Sequence, residues 1–335
     1  MKAWKITEFG SVDVMNLVDD FPIPEMKSTD ILVKNKAVGS NPIDYKARGG
    51  ATVVPSEDNP RIVGWDAAGV VEQIGSDVVG FNVGDEVYYA GDIMRPLGSY
   101  AEFTAVDYRI VGKKPKSLSW AEASTIALVA ITAWETMKED MVVEEGSEML
   151  IINGAGGLGC MAIQLAKQLG LTVIATASRQ ETVEWCKKMG ADHVITHREP
   201  LAPQLEKLGY AKGVRYVFHC HEVGNELGEL MKNVVGPLGK LSLTFSPKDE
   251  GAFGTIDTVD MWFNRKALLS TMMFARPFTG VNPEKQGELL DTVADMIDAG
   301  KITPVVTKTM KFEEAKEVME LQASGSTIGK IAMTL

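Results

Sequence analysis

Two rhythms of apolar and polar residues divide the chain. Up to about residue 122, short β-branched runs alternate with turn residues, as in "DILVKNKAVG" (30–39), "RIVGWDAAGVVEQIG" (61–75), "GFNVGDEVYYAG" (80–91) and "SYAEFTAV" (99–106). That spacing predicts a compact, mostly antiparallel β domain. From about residue 148, apolar strands alternate with helical segments. Strand "EMLIIN" (148–153) leads into helix "LGCMAIQLAKQLG" (158–170), whose Ala162, Leu165, Ala166 and Leu169 share one face. Then come "LTVIATA" (171–177), helix "ETVEWCKKMG" (181–190), and strands "HVIT" (193–196), "VRYVFH" (214–219), "GKLSLTF" (239–245) and "LLSTMMFA" (268–275). Six strands with intervening helices predict an α/β fold with a doubly wound parallel (Rossmann) sheet.

The amphipathic stretch "GELLDTVADMIDAG" (287–300) is expected to close that sheet. After it the β-rich character returns in "ITPVVTKTM" (302–310) and "GKIAMTL" (329–335), so the tail is expected to rejoin the first domain. A chain of 335 residues exceeds one hydrophobic core. Two domains are expected: 1–122 with 298–335, and 123–297.

Composition narrows the function classes. The formal charge is −11, from 34 basic and 45 acidic residues, which argues against a nucleic-acid or anionic-membrane surface. No apolar run approaches the ~18 residues of a membrane span. The start, "MKAWKITEFG", lacks the apolar core of a secretory signal. Cys160, Cys186 and Cys220 are scattered, with no CxxC spacing, so a reducing, cytoplasmic setting is expected.

The stretch "IINGAGGLGC" (151–160) carries the first chemistry. Gly154-x-Gly156-x-x-Gly159 follows a predicted strand and opens a predicted helix, the context in which this spacing marks a dinucleotide site. Gly154 is read as permitting the tight turn, Gly156 as admitting a pyrophosphate, and Gly159 as letting helix and strand pack closely. Ala155, Gly157 and Leu158 complete the loop, and the helix start offers free N–H groups to phosphate. An NAD site usually places an acid about 20 residues beyond. Here the second strand ends Ala177-Ser178-Arg179-Gln180. Arg179 can fork onto a 2′-phosphate and Ser178 can donate its hydroxyl. The cofactor is therefore read as NADP(H). A competing reading makes Ser178 and Glu181 a helix capping box, and leaves Arg179 in solvent.

With these motifs in view, the whole chain resembles the medium-chain dehydrogenase/reductase superfamily, and more narrowly its quinone-oxidoreductase branch, which includes proteins labelled zinc-type alcohol dehydrogenase-like. The resemblance rests on "SNPIDYKARGG" (40–50), "VGWDAAGVVEQIG" (63–75), "NVGDEVYYAG" (82–91), "GSYAEF" (98–103), "ALVAITAWETM" (127–137), "LIINGAGGLG" (150–159), "GADHVI" (190–195) and "GKIAM" (329–333). It implies a GroES-like β domain on the substrate side, a Rossmann domain, and a cleft between them. Zinc-dependent relatives have a Cys where this chain has Asn41, a His at Trp65, a Glu at Asp66, and a third ligand near Leu128. A catalytic zinc needs three good donors, so no metal is expected. His219 and His221 in "FHCHE" (218–222) would share a strand face as a metal pair. A cofactor contact by His219, or plain packing, is favoured over that reading.

The resemblance implies a reductase that polarises its acceptor by hydrogen bonds. Candidate donors are Asn41, Tyr45 and Lys46, with Asp44 holding a neighbour in place and Thr132 near the nicotinamide. Asn41-Pro42 as a plain turn, and Tyr45 as a packing residue, are the competing readings. Phe274 and Lys330 are further candidates for the cofactor side. Enoyl-thioester reductases of the superfamily use a Tyr at a position matching about Thr52, which departs from that pattern. The expected activity is hydride transfer from NADPH to a small-molecule quinone or α,β-unsaturated carbonyl. An alcohol dehydrogenase or carbonyl reductase, and a non-catalytic NADPH-binding sensor, are the alternatives. The apolar sixth strand is expected to pair with its copy in a homodimer.

Overall fold

The computed structural model describes residues 1–50, 54–245 and 250–335. The chain forms two compact units, Met1–Ile131 with Phe274–Leu335, and Thr132–Met273. These boundaries differ from the expected ones at both crossings.

In the first unit, the ten-residue strand Asp30–Gly39 is the spine. It pairs antiparallel with Ala67–Ile74, with Phe103–Asp107 and with the tail strand Lys330–Thr334. Val306–Lys311 extends the sheet beyond the tail strand, in parallel. Glu86–Tyr89 and Val111–Lys113 extend it on the other side. A three-stranded sheet centred on Ala3–Ile6 completes the β structure. The strands bury Tyr88, Tyr89 and Tyr100 completely. Buried phenols need partners. Tyr88 Oη donates to Leu290 O at 2.6 Å, and Tyr89 Oη donates to Asn35 Oδ1 at 2.9 Å.

Leu290 lies on the helix Glu284–Asp298, expected to close the parallel sheet. The helix belongs instead to the first unit. The Lys113 N–H donates to Asp291 Oδ1 at 2.9 Å. A Cβ on Gly112 would lie 2.5 Å from Leu290 Cβ. An amphipathic period shows that a helix has a buried face but not which sheet that face meets, and this is why the expectation failed.

The second unit is a six-stranded parallel sheet. Its strands are β1 (Glu148–Ile152), β2 (Thr172–Thr176), β3 (His193–Ile195), β4 (Val214–His219), β5 (Val235–Leu243) and β6 (Ala267–Ser270). Their order is β3-β2-β1-β4-β5-β6, all parallel. That is the doubly wound arrangement of the Rossmann fold. Leu150, Ile174, Val217 and Leu241 form part of its core, as near-continuous apolar strands require when both faces are covered. The sixth strand stops at Ser270, short of the 268–275 expectation, and Ala275–Thr279 is a short helix.

Candidate functional site

The glycine loop joins β1 to the helix Gly157–Gln168. The left-handed residue of the turn is Asn153, at φ 64°, so the turn itself does not need Gly154. Gly154 answers to packing, because a Cβ there would sit 2.8 Å from Ala175 Cβ and 3.0 Å from Cys186 Sγ. At Gly159 a Cβ would lie 2.2 Å from Asn153 O and 2.7 Å from Gly154 Cα, both backbone. Here only glycine lets helix and strand approach. Gly156 differs: its nearest clash is the Asn153 side-chain amide, at 2.8 Å. Gly156, Gly157 and Leu158 are half-exposed while Gly154, Ala155 and Gly159 are buried. The loop thus presents one open backbone edge at a helix start, where unpaired N–H groups and the helix dipole favour a phosphate. These residues fit a dinucleotide.

At the end of β2, Arg179 rather than Ser178 is the N-cap of the next helix, Gln180–Lys188. The Arg179 N–H donates to Thr182 Oγ1 at 3.1 Å, and that hydroxyl donates back to Arg179 O at 2.7 Å. The box of the competing reading, Ser178–Glu181, is therefore displaced by one residue, because Thr182 meets the backbone of the residue three positions before it. Glu181 instead pairs with the Arg179 guanidinium at 3.0 Å, on a 40% exposed Arg side chain. Both Ser178 and Arg179 are half-buried.

His219 ends β4 and is 3% exposed. Its Nδ1 lies 2.8 Å from His221 O, and burial lowers its pKa from the usual imidazole value. His221 is exposed. The strand stops at His219, so the two rings do not share a strand face, and the metal-pair reading loses its geometry. Thr132 is buried within the helix Ala127–Trp134, its carbonyl accepting from Thr136 Oγ1 at 2.8 Å.

In the first unit, Asn41 is the N-cap of the helix Pro42–Arg48. The Asn41-Pro42 pair is thus a helix start, with Pro at the first turn where its missing N–H costs nothing. The Asn41 N–H donates to Asp44 Oδ2 at 2.8 Å. The Asn41 amide turns elsewhere: Nδ2 donates to Asp66 Oδ2 at 3.3 Å, and Oδ1 accepts from Lys330 Nζ. Lys330 Nζ also donates to Asp66 Oδ2 at 3.0 Å and to Ser40 O at 2.9 Å. All three N–H bonds of the ammonium are then occupied within this buried node. Asp66 Oδ1 accepts from the Leu128 N–H at 3.3 Å. Tyr100 Oη donates to Asp44 Oδ2 at 3.0 Å.

The node is almost wholly withdrawn from water, with Asp44 and Asp66 at 0% and Lys330 at 3% exposure. Burial pushes the Asp44 carboxyl up to about 7, against the opposing pull of the Asn41 N–H, Lys330 and Tyr100. Burial raises the Asp66 carboxyl too, while Lys330 and Asn41 hold it down. The fold brings Asn41, Asp44 and Lys330 together. Asp66 and Tyr100 complete the group, and Tyr100 was not singled out from the sequence, although "GSYAEF" contains it. Tyr45 and Lys46 lie half-buried on the 42–48 helix. Phe274 lies in the first unit, ahead of the Ala275–Thr279 helix and beyond β6. Its ring meets Trp65 edge-on, 6.0 Å between centroids at 71°. Thr52 lies outside the described residues.

Comparison with known proteins matches residues 27–116 to the alcohol dehydrogenase GroES-like domain and residues 157–295 to the zinc-binding dehydrogenase family. The chain is similar to a zinc-type alcohol dehydrogenase-like protein of Staphylococcus aureus (strain COL), 36% identical over 325 residues, covering 94% of this chain and 92% of that protein. It is also similar to the chloroplastic NADPH-dependent alkenal/one oxidoreductase of Arabidopsis thaliana, 37% identical over 206 residues, 59% of this chain and 52% of that protein. The solved structure of the quinone oxidoreductase from Coxiella burnetii superposes with a TM-score of 0.81 at 28% identity, covering 100% of this chain and 99% of that one.

The zinc in two of these descriptions does not fit the residues. Asn41 offers an amide already held at both ends, Trp65 an indole N–H that only donates, and Leu128 no ligand atom. Asp66 alone keeps a carboxylate, and the Lys330 ammonium already sits on it. Among the described residues, no three His, Cys, Asp or Glu side chains cluster as a metal site.

Proposed function

The chain belongs to the medium-chain dehydrogenase/reductase superfamily and is an oxidoreductase of that type; on that premise we propose that it is a zinc-independent, NADPH-dependent reductase of quinones or α,β-unsaturated carbonyls. The observation that carries the reading is the glycine loop opening the 157–168 helix, with Arg179 at the N-cap that follows the next strand and no acid between them. The names of the plant and Coxiella relatives agree with it.

The bound nicotinamide supplies hydride to an electron-poor carbon. The protein's part is to bind, orient and stabilise charge. Gly156, Gly157, Leu158 and the helix N-terminus would hold the pyrophosphate, assisted by the close packing at Gly154, Ala155 and Gly159. Arg179, beside Glu181, would meet a 2′-phosphate, and Ser178, which does not cap the helix, would add a hydroxyl. His219 and Thr132 would line the nicotinamide side. Tyr45, Lys46 and the remaining Nδ2 hydrogen of Asn41 stabilise the oxyanion that forms on the acceptor. Asp44 and Lys330 position these groups. We place the protein in the cytoplasm as a homodimer joined at the β6 edge.

The test is oxidation of NADPH and NADH, followed by nicotinamide absorbance, with a quinone, an enone and an aldehyde, each with and without chelator. A charge-assisted hydrogen bond is worth about 1.5–3 kcal/mol, so NADPH is preferred about 10- to 100-fold. Arg179→Ala narrows that gap. Equal rates with the two nucleotides would refute the cofactor reading. Chelator-sensitive aldehyde reduction would favour an alcohol dehydrogenase, and no turnover of any acceptor would favour a binding protein.

A further inference from the structure

We infer that Trp185 is a positioning residue for nucleotide selectivity: through the Cys160 thiol its indole ties the helix that starts at Arg179 to the glycine loop, and so sets where the guanidinium lies relative to the pyrophosphate edge. The inference rests on the reading of the glycine loop and Arg179 as a site for NADP(H), and every residue it uses lies within the second unit.

Trp185 lies on the helix Gln180–Lys188, six residues beyond Arg179. Its Nε1–H donates to Cys160 Sγ at 2.9 Å. Cys160 is fully buried in the first turn of the helix that follows the glycine loop. Its Sγ lies 3.4 Å from Ala155 O and 3.6 Å from Gly154 O, so the thiol hydrogen is directed at the loop carbonyls. An indole N–H only donates, while a thiol both accepts and donates. The direction of the link is therefore fixed, from indole to sulfur and from sulfur to loop. Beside it, Cys186 Sγ lies 3.0 Å from where a Cβ on Gly154 would stand, so two neighbouring side chains of one helix bear on the loop. The Lys188 ammonium lies over the Trp185 ring, 4.9 Å from its centroid.

Arg179 sits between two tethers. Before it, the Gly154 N–H donates to Thr176 O at 3.1 Å, at the end of β2. After it, Trp185 holds the same loop segment through Cys160. The stretch that carries the guanidinium is thus pinned at both ends to the backbone that would face a pyrophosphate. The Arg179–Thr182 cap fixes the local backbone, whereas the placement of the helix against the loop comes from Trp185 and Cys186. An apolar ring at 185 would fill the same space without a directed bond. Direction bears on selectivity because NADPH must meet the loop and the guanidinium at once, and a site already held in register loses less on binding it. NADH needs only the loop.

The experiment is isothermal titration calorimetry of the full-length chain with NADPH and with NADH, on wild type, Trp185→Phe, Arg179→Ala and the double variant, with a thermal midpoint recorded for each. Losing the one hydrogen bond in Trp185→Phe is expected to weaken NADPH about 3- to 10-fold and NADH less than about 2-fold, and to lower the midpoint by about 2–4 °C. In the Arg179→Ala background, Trp185→Phe is expected to leave the ratio of the two affinities unchanged, because the group it positions is gone. Cys160→Ser keeps an acceptor and a donor and retains the wild-type preference, while Cys160→Ala reproduces Trp185→Phe. That pair carries the test should Trp185→Phe not fold. Equal losses for the two nucleotides, a lowered midpoint with the preference intact, or additive effects of the two substitutions on the ratio overturn the inference and leave the cofactor reading standing. A wild type with no preference for NADPH, or a preference indifferent to Arg179→Ala, overturns the cofactor reading itself, and the inference falls with it.

Discussion

Asp44 accepts two hydrogen bonds on one carboxylate oxygen, while the other oxygen is buried without a donor among the described residues. That asymmetry, with complete burial, accounts for a carboxyl held near pH 7. The sign follows from proton linkage. Between the ordinary carboxylate value of 3.8 and the folded value of about 7, the folded state holds the extra proton. The group's stabilisation is complete below that window and is lost as pH rises through it. A shift of this size is worth on the order of 4 kcal/mol, at about 1.4 kcal/mol for each pH unit. Asp44→Asn keeps the neutral shape and removes the proton. Its stability relative to wild type, from urea midpoints, should therefore rise between about pH 5 and pH 8, and an unchanged difference would refute the assignment. A cation where NAD sites carry an acid needs only local spacing to be noticed, and Arg179 stands at the start of the helix that follows β2. The node around Asp44 was not legible in the sequence. Asp66 and Lys330 are 264 residues apart in the chain, and no local pattern couples them.

The glycine loop separates two physical demands at the level of the element. Gly159 is required by backbone contact and Gly156 is not, since only the flexible end of Asn153 stands near it. Gly159→Ala must displace helix from strand, and overpacking of that kind costs about 1–3 kcal/mol. Gly156→Ala should leave the melting temperature within about 2 °C of wild type yet weaken nucleotide binding, since the added methyl narrows the open edge. Calorimetric melting and nucleotide titration of both variants check the distinction, which fails if the two lose stability equally. The strand–loop–helix unit was readable because strand, turn and helix signals are all local. The competing capping reading was off by one residue, since Ser178–Glu181 and Arg179–Thr182 both span three positions and only the backbone path chooses between them. The helix Glu284–Asp298 was recognised as amphipathic but assigned to the wrong sheet. Its partners Tyr88 and Lys113 lie about two hundred residues earlier.

Among the described residues the parallel sheet ends in two edge strands, β3 and β6. Strand β6 ends the order and pairs only with β5 among the described residues. Just before it in the chain, Trp262 and Phe263 are 74% and 73% exposed. Exposed edges and large apolar side chains favour association. A dimer is therefore expected by light scattering at micromolar concentration, with Trp262→Ser shifting it toward monomer; a wild-type monomer would remove the edge-pairing reading. None of the described helices is long and apolar enough to cross a membrane. What the sequence determined alone was the kind of each half: alternating β-branched runs for one sheet, apolar strands with periodic helices for the other, and a glycine spacing that names its ligand class. These are short-range properties, set by side-chain period and turn chemistry within a few residues. Tertiary structure alone decided where the closing helix docked, where the tail strand paired, and that an ammonium from the tail lies on Asp66. Each of those depends on contacts between distant segments, whose free energy comes from burial and charge pairing that exist only once the chain has folded.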